Sequence, residues 1–131
     1  MSHFSQVKTQ ITDQILLEET LRQLEYEFQT GEDLPIYGYQ DNTELGQIVV
    51  DTGGRYSIGF QRQEDNTYAV CTDWWGIKRT TKIQEEEFMQ DVNRVYAHLA
   101  IKKQVAEQGL IIEEEKVLEN GDIELVVVEP V

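Results

Sequence analysis

The sequence predicts an α+β domain: a twisted, mainly antiparallel β-sheet with two helices packed on one face. Three observations carry this reading. Two stretches repeat apolar residues with helical period, several short segments between them alternate with strand period, and glycine- or asparagine-centred turns join those segments as hairpins. With 131 residues the chain is one domain, 1–131, because chains divide only when considerably longer.

The first ten residues, with Phe4 and Val7 in a polar setting, read as a short strand. Asp13 is a plausible N-cap for an amphipathic helix whose stripe is Leu17, Leu21 and Leu24, extending to Phe28. From Glu25 the period changes to alternation, and Thr30-Gly31-Glu32-Asp33 is turn chemistry. Leu34 to Tyr39 reads as extended, with Pro35 placing it at an edge or a strand start. Gln47 to Asp51 and Arg55 to Arg62 flank Thr52-Gly53-Gly54, whose glycines can take the positive φ of a tight hairpin. A further turn at Glu64-Asp65-Asn66-Thr67 leads into Tyr68 to Thr72, which completes a meander. A long helix is expected from about Gln84 to Glu107, with a stripe of Phe88, Val92, Val95, Leu99 and Ala106. Glu85, Glu86 and Glu87 suit its N-terminal dipole, and Gly109 suits its C′ position. Leu110 to Leu118 and Asp122 to Val128 form a hairpin through Asn120-Gly121. The last strand is apolar on both faces and is expected inside the sheet.

The chain carries 11 basic and 25 acidic side chains, a formal net charge of −14. Such acidity could signal disorder, but 40% apolar residues and clear periodicity place the chain among globular domains. The acidity is spread over both halves of the chain and repels phosphate backbones, so nucleic acid is not an expected partner. No stretch approaches a membrane span and the N-terminus lacks signal-peptide character, so no membrane insertion is expected. The single cysteine, Cys71, has no partner for an internal disulfide and fits a reducing compartment.

No catalytic, metal or cofactor residues can be named from spacing. His3, His98 and Cys71 form no metal-ligand pattern with the carboxylates. His98 reads as a half-buried packing residue. His3 between Ser2 and Ser5 lacks an orienting carboxylate, and adjacent strand residues face opposite ways. Glu113-Glu114-Glu115 reads as a solvated edge rather than an acid/base pair. The glycines near 53–59 match no phosphate-binding loop.

The segment Asp73-Trp74-Trp75-Gly76-Ile77-Lys78-Arg79 stands above this background. Two adjacent tryptophans at a strand end point to opposite faces, so one enters the core and the other lies near the surface. Lys78, Arg79 and Lys82 add concentrated positive charge beside them. Trp and Arg dominate binding hot spots, which makes Trp74, Trp75, Lys78, Arg79 and Lys82 the candidate partner-binding residues. The structural alternative is one indole filling the core and the other covering the sheet edge.

Ser2-His3-Phe4-Ser5, Gly38-Tyr39-Gln40, Tyr56-Ser57-Ile58-Gly59-Phe60 and Asp73-Trp74-Trp75-Gly76 closely resemble a family of cyanobacteria and algal plastid genomes. It is the hypothetical chloroplast reading frame thirty-five family, a domain of unknown function. Ala106-Glu107-Gln108-Gly109, the glutamate-rich strand and Asn120-Gly121-Asp122-Ile123 fit it too, so the resemblance covers essentially the full length. It implies a place, the cyanobacterial cytoplasm or the chloroplast stroma, and an accessory role in photosynthetic physiology. It transfers no catalytic residue.

The leading expectation is a soluble module that docks on another protein. The alternative is a small-ligand or cofactor-binding domain, an enzyme included, with a pocket between sheet and helices built from Tyr37, Tyr39, Tyr56, Trp74 and His98. A third is a homo-oligomer formed through an edge strand such as Leu34–Tyr39.

Overall fold

The computed structural model describes residues 3–130. Ser2, the first residue of the Ser-His-Phe-Ser motif, lies outside them. Five strands, β1 (Ser5–Lys8), β2 (Glu27–Tyr37), β3 (Thr43–Asp51), β4 (Ser57–Arg62) and β5 (Tyr68–Thr72), form one antiparallel sheet in the order β1-β5-β4-β3-β2. Helix α1 (Gln14–Gln23) follows β1, a short helix α2 (Trp74–Thr80) follows β5, and the long α3 (Glu85–Glu107) leads to a separate two-stranded sheet, β6 (Ile111–Val117) with β7 (Ile123–Val128). The α+β class is as expected; α2 was not expected.

Register explains the core. Phe28 lies opposite Val50, Val50 opposite Ile58, Ile48 opposite Phe60, and Val70 between Phe60 and Val7. The strand period of two puts these side chains on one face. There they meet Leu17 and Leu21 of α1, Ile77 of α2, and Phe88 and Val92 of α3 in a single cluster. The other face is thinly covered. Ile36 folds over Gly59, the Phe4 ring lies over Gly38, and the Tyr37 amide donates to Ser57 Oγ at 2.7 Å.

Helix α1 begins where the sequence places it, with Asp13 Oδ1 accepting from the Leu16 amide at 3.1 Å. Its other oxygen accepts from Lys103 Nζ of α3 at 2.9 Å, and the Tyr96 hydroxyl accepts from the Asp13 amide at 3.1 Å, so α3 is fastened to the start of α1. The Lys103 bond holds the Asp13 carboxyl below the usual carboxylate range, against a smaller opposing effect of burial. Asp13→Ala is expected to cost about 1 kcal/mol at neutral pH through loss of the cap. The sign with pH follows from the lowered value: the charged form's contribution is complete above the unfolded carboxylate range, near about pH 4, and is lost as pH falls through the folded value. Urea unfolding should therefore show wild type ahead of Asp13→Asn, which keeps a cap oxygen but no charge, with that lead vanishing in acid.

Four expectations need correction. Residues 30–33 are not a turn between two strands: β2 runs through them, with a bulge that moves the register from Thr30 opposite Ile48 to Leu34 opposite Gly46. The extra residues are absorbed because β2 is the outermost strand and its far side is unpaired. Leu34 to Tyr37 is then an edge, as Pro35 suggested, and the chain leaves it through a 3₁₀ turn at Tyr39–Asp41. Phe28 belongs to β2 rather than to the α1 stripe. On α3 the stripe holds at Phe88, Val92 and Val95, but Leu99 is only half-buried and Val105 is buried in place of Ala106, which is exposed. The last strand is not inside the main sheet, since β7 pairs only with β6. Of its apolar residues, Ile123 and Leu125 line the cleft shared with α3 and Val126 is exposed.

Candidate functional site

The two tryptophans lie on a helix, not at the end of a strand. Asp73, almost fully buried, caps α2 by accepting from the Gly76 amide at 3.2 Å. Side chains adjacent on a helix diverge by about 100° rather than the ~180° of a strand. Trp74 turns inward, its ring 5.8 Å from that of Phe88, with Nε1 enclosed and unpaired. Trp75 turns outward and is 46% exposed. The expected division into one core indole and one surface indole is found, with a different geometry behind it.

The orientation of α2 is set from below. Gly76 rests on the ring of Tyr56, so close that a methyl group at this position would overlap the ring carbons. Ile77 is buried beside it. With that face pinned, Trp75 and Arg79, one turn apart, share the outer face. The Arg79 guanidinium lies 4.7 Å from the Trp75 ring centroid, a cation–π stack. Tyr39, carried in by the turn after β2, meets the same indole edge-on at 6.4 Å between centroids. Tyr39 is 41% exposed and Tyr37 48%. The result is a shelf with an aromatic floor and a cationic margin.

Lys78 and Lys82 are exposed next to Arg79. Lys78, Trp74 and Trp75 form one wall of an open groove of about 710 Å³, whose other wall is Glu85, Glu86 and Glu87 at the start of α3. All five sequence-derived contact residues are thus near one another, but only Trp75, Lys78, Arg79 and Lys82 face outward. Trp74 serves the core. Tyr39 completes the shelf, and sequence reading placed it instead in a ligand pocket. A usable signal was present: Asp73 three residues before Gly76 is N-cap spacing.

The five residues of the ligand pocket expected between sheet and helices do not come together, although Tyr37 and Tyr56 line one open cleft of about 520 Å³. Tyr56 is covered by α2, Tyr37 and Tyr39 are on the surface, and the intervening space is filled by Phe60 and Phe88, whose centroids are 6.3 Å apart. His98 is distant from that set. It is mostly buried on α3, with Nε2 2.6 Å from Glu115 Oε1 in a contact not aligned as a hydrogen bond. Lys102 reaches the other oxygen of Glu115 at 3.4 Å, so this glutamate ties β6 to α3 while Glu113 and Glu114 stay solvated. A polar cleft of about 830 Å³, bordered by Arg94, His98 and Asn120, separates the same helix from the hairpin. Cys71 is buried in β5, and burial, reinforced by Glu44, pushes its thiol up to about 11, leaving almost no nucleophilic thiolate at neutrality. Among the described residues no three His, Cys, Asp or Glu side chains gather as metal ligands would, and no helix is long and apolar enough to cross a membrane.

Residues 20–126 match the family described as Protein of unknown function (DUF1257). The chain belongs to this family. It is 30% identical over 130 residues to the Uncharacterized protein ycf35 of Guillardia theta, covering 95% of this chain and 94% of that protein. It is 28% identical over 131 residues to the Uncharacterized protein ycf35 of Cyanophora paradoxa, covering 97% and 96%. No solved structure matches. The DUF1257 match begins within α1 and ends within β7, so it contains the whole shelf of Tyr39, Trp75 and Arg79.

Proposed function

We propose that this DUF1257 protein is a docking module that holds a segment of another protein on the outer face of α2. The observation carrying this reading is Trp75: a large indole left 46% exposed, yet held between Tyr39 and Arg79 rather than loose in solvent. A pre-positioned aromatic flanked by arginine loses little conformational entropy on binding, which is the common make-up of an interface anchor. The core behind it is filled by Phe60, Phe88 and Trp74, which favours a surface function over an enclosed ligand. The setting is the cyanobacterial cytoplasm or the plastid stroma, with an accessory role in photosynthetic physiology, supported by the resemblance to a chloroplast reading-frame family and by the algal relatives.

The test is recovery of a partner from native lysate by wild type and by a Trp75→Ala/Arg79→Ala variant of verified fold. Loss of a hot-spot pair is expected to weaken binding by about 30-fold or more, the equivalent of roughly 2 kcal/mol. Both residues are exposed, so the same variant should unfold within about 0.5 kcal/mol of wild type. Unchanged partner recovery by the folded variant removes the proposed surface. Sedimentation of wild type across a concentration series separates this reading from self-association through the β2 edge.

A further inference from the structure

Resting on the docking reading above, we propose that the docked segment is an acidic stretch of protein in which carboxylates flank an aromatic or aliphatic anchor. The argument is the distribution of positive charge. Arg22, Arg94, Lys102 and Lys103 are each in an ion pair, and Arg62 is bonded to Gln14 and Tyr68. Lys8 on β1, Arg55, Lys78, Arg79, Lys82 and Lys116 on β6 are exposed and have no carboxylate within ion-pair distance among the described residues. Of these six, Lys78, Arg79 and Lys82 occupy one place. Lys78 and Arg79 sit in the last turn of α2 and Lys82 just beyond it, while Gly54 of the β3–β4 turn lies against Thr80 and Thr81 and Arg55 lines a separate cleft with Glu27 and Asp51.

In a chain with 25 carboxylates, three neighbouring cations that no carboxylate pairs leave local positive potential on a body that repels anions over most of its surface. An acidic segment is steered to this edge and rejected by the rest of the surface. The shelf supplies both halves of the recognition. Arg79 presents a planar fork suited to a carboxylate, and the exposed faces of Trp75 and Tyr39 take an apolar anchor beside it. Glu85, Glu86 and Glu87 close the groove next to Trp75 and Lys78, so the patch accommodates a short acidic stretch, whereas a continuous polyphosphate strand would run onto these carboxylates.

The experiment is fluorescence anisotropy with the full chain and two labelled peptides of one design: glutamates and aspartates flanking a Trp-Leu anchor, and the same peptide with every carboxylate changed to its amide. The acidic peptide is expected to bind about tenfold or more tightly at low salt, with the gap closing as the Debye length falls below about 5 Å. A variant carrying Lys78→Gln and Lys82→Gln should lose most of the preference for the acidic peptide and keep only what Arg79 supplies, while Trp75→Ala should weaken both. Equal binding of the two peptides by wild type, with Trp75→Ala still weakening them, overturns the acidic partner and leaves the docking surface standing. Binding indifferent to Trp75→Ala, or absent for both peptides, overturns the docking reading as well. A single-stranded oligonucleotide binding as tightly as the acidic peptide overturns the choice of protein, and a mass that doubles with concentration in the absence of peptide assigns the patch to a second copy of this chain.

Discussion

Phe88→Ala is expected to lower the unfolding free energy by about 3–5 kcal/mol, the range for removing a fully enclosed aromatic ring. Phe88 is 1% exposed and stands where three other rings converge, at 5.5 Å from Tyr26, 5.8 Å from Trp74 and 6.3 Å from Phe60. It joins α3 to the sheet and to the inner side of α2. A domain of ordinary stability holds only about 5–15 kcal/mol, so the variant should unfold about 10 °C lower and far earlier in urea. Trp74 loses a neighbour with that ring, and its emission should shift to the red before global unfolding. Ile101→Ala is the control: its side chain is 49% exposed on the same helix and should cost less than about 1 kcal/mol. Similar losses in the two variants would mean that α3 is not seated as described.

Gly76→Ala is expected to destabilise although Gly-to-Ala in an open helix favours folding by about 1 kcal/mol. Here the added methyl meets the Tyr56 ring, which is 9% exposed and fixed between α2 and the sheet. Overpacking of this kind costs about 1–3 kcal/mol, enough to reverse the propensity gain. The shift should also be felt outside, because lifting α2 parts Trp75 from Tyr39. Denaturant unfolding gives the first effect and quenching of Trp75 by acrylamide the second. Tyr56→Leu should relieve the clash, so a double-mutant cycle is expected to show favourable coupling on the order of 1 kcal/mol. A stabilised Gly76→Ala protein with unchanged quenching would refute the contact that orients the shelf.

Elements with a strong local cause were legible without the structure. Asp13 can cap α1 whatever the rest of the chain does, because its carboxylate bonds an amide three residues on. Asn66 takes φ 68° and Gly53 φ 81° in the turns assigned to them, and Gly109 takes φ 71° after α3. Where two causes competed, local reading failed. Asp73 caps a helix of only seven residues, too short to show a stripe, and its two β-favouring tryptophans read as a strand end. Thr30-Gly31-Glu32-Asp33 has the composition of a turn, yet pairing with β3 carries the strand past it. The apolar run of β7 resembles a buried central strand, yet it pairs with β6 and faces α3 across an open cleft.

The sequence by itself determined an acidic α+β domain, most of its hairpins and its two longer helices, because periods, caps and positive-φ turns act within a few residues. Only the tertiary structure decided which indole faces outward, that Tyr39 lies against it, and that the β3–β4 turn meets the end of α2. Those facts depend on contacts between segments far apart in the chain, above all Gly76 against Tyr56 and Gly54 against Thr80, and no local preference records which distant surfaces will meet.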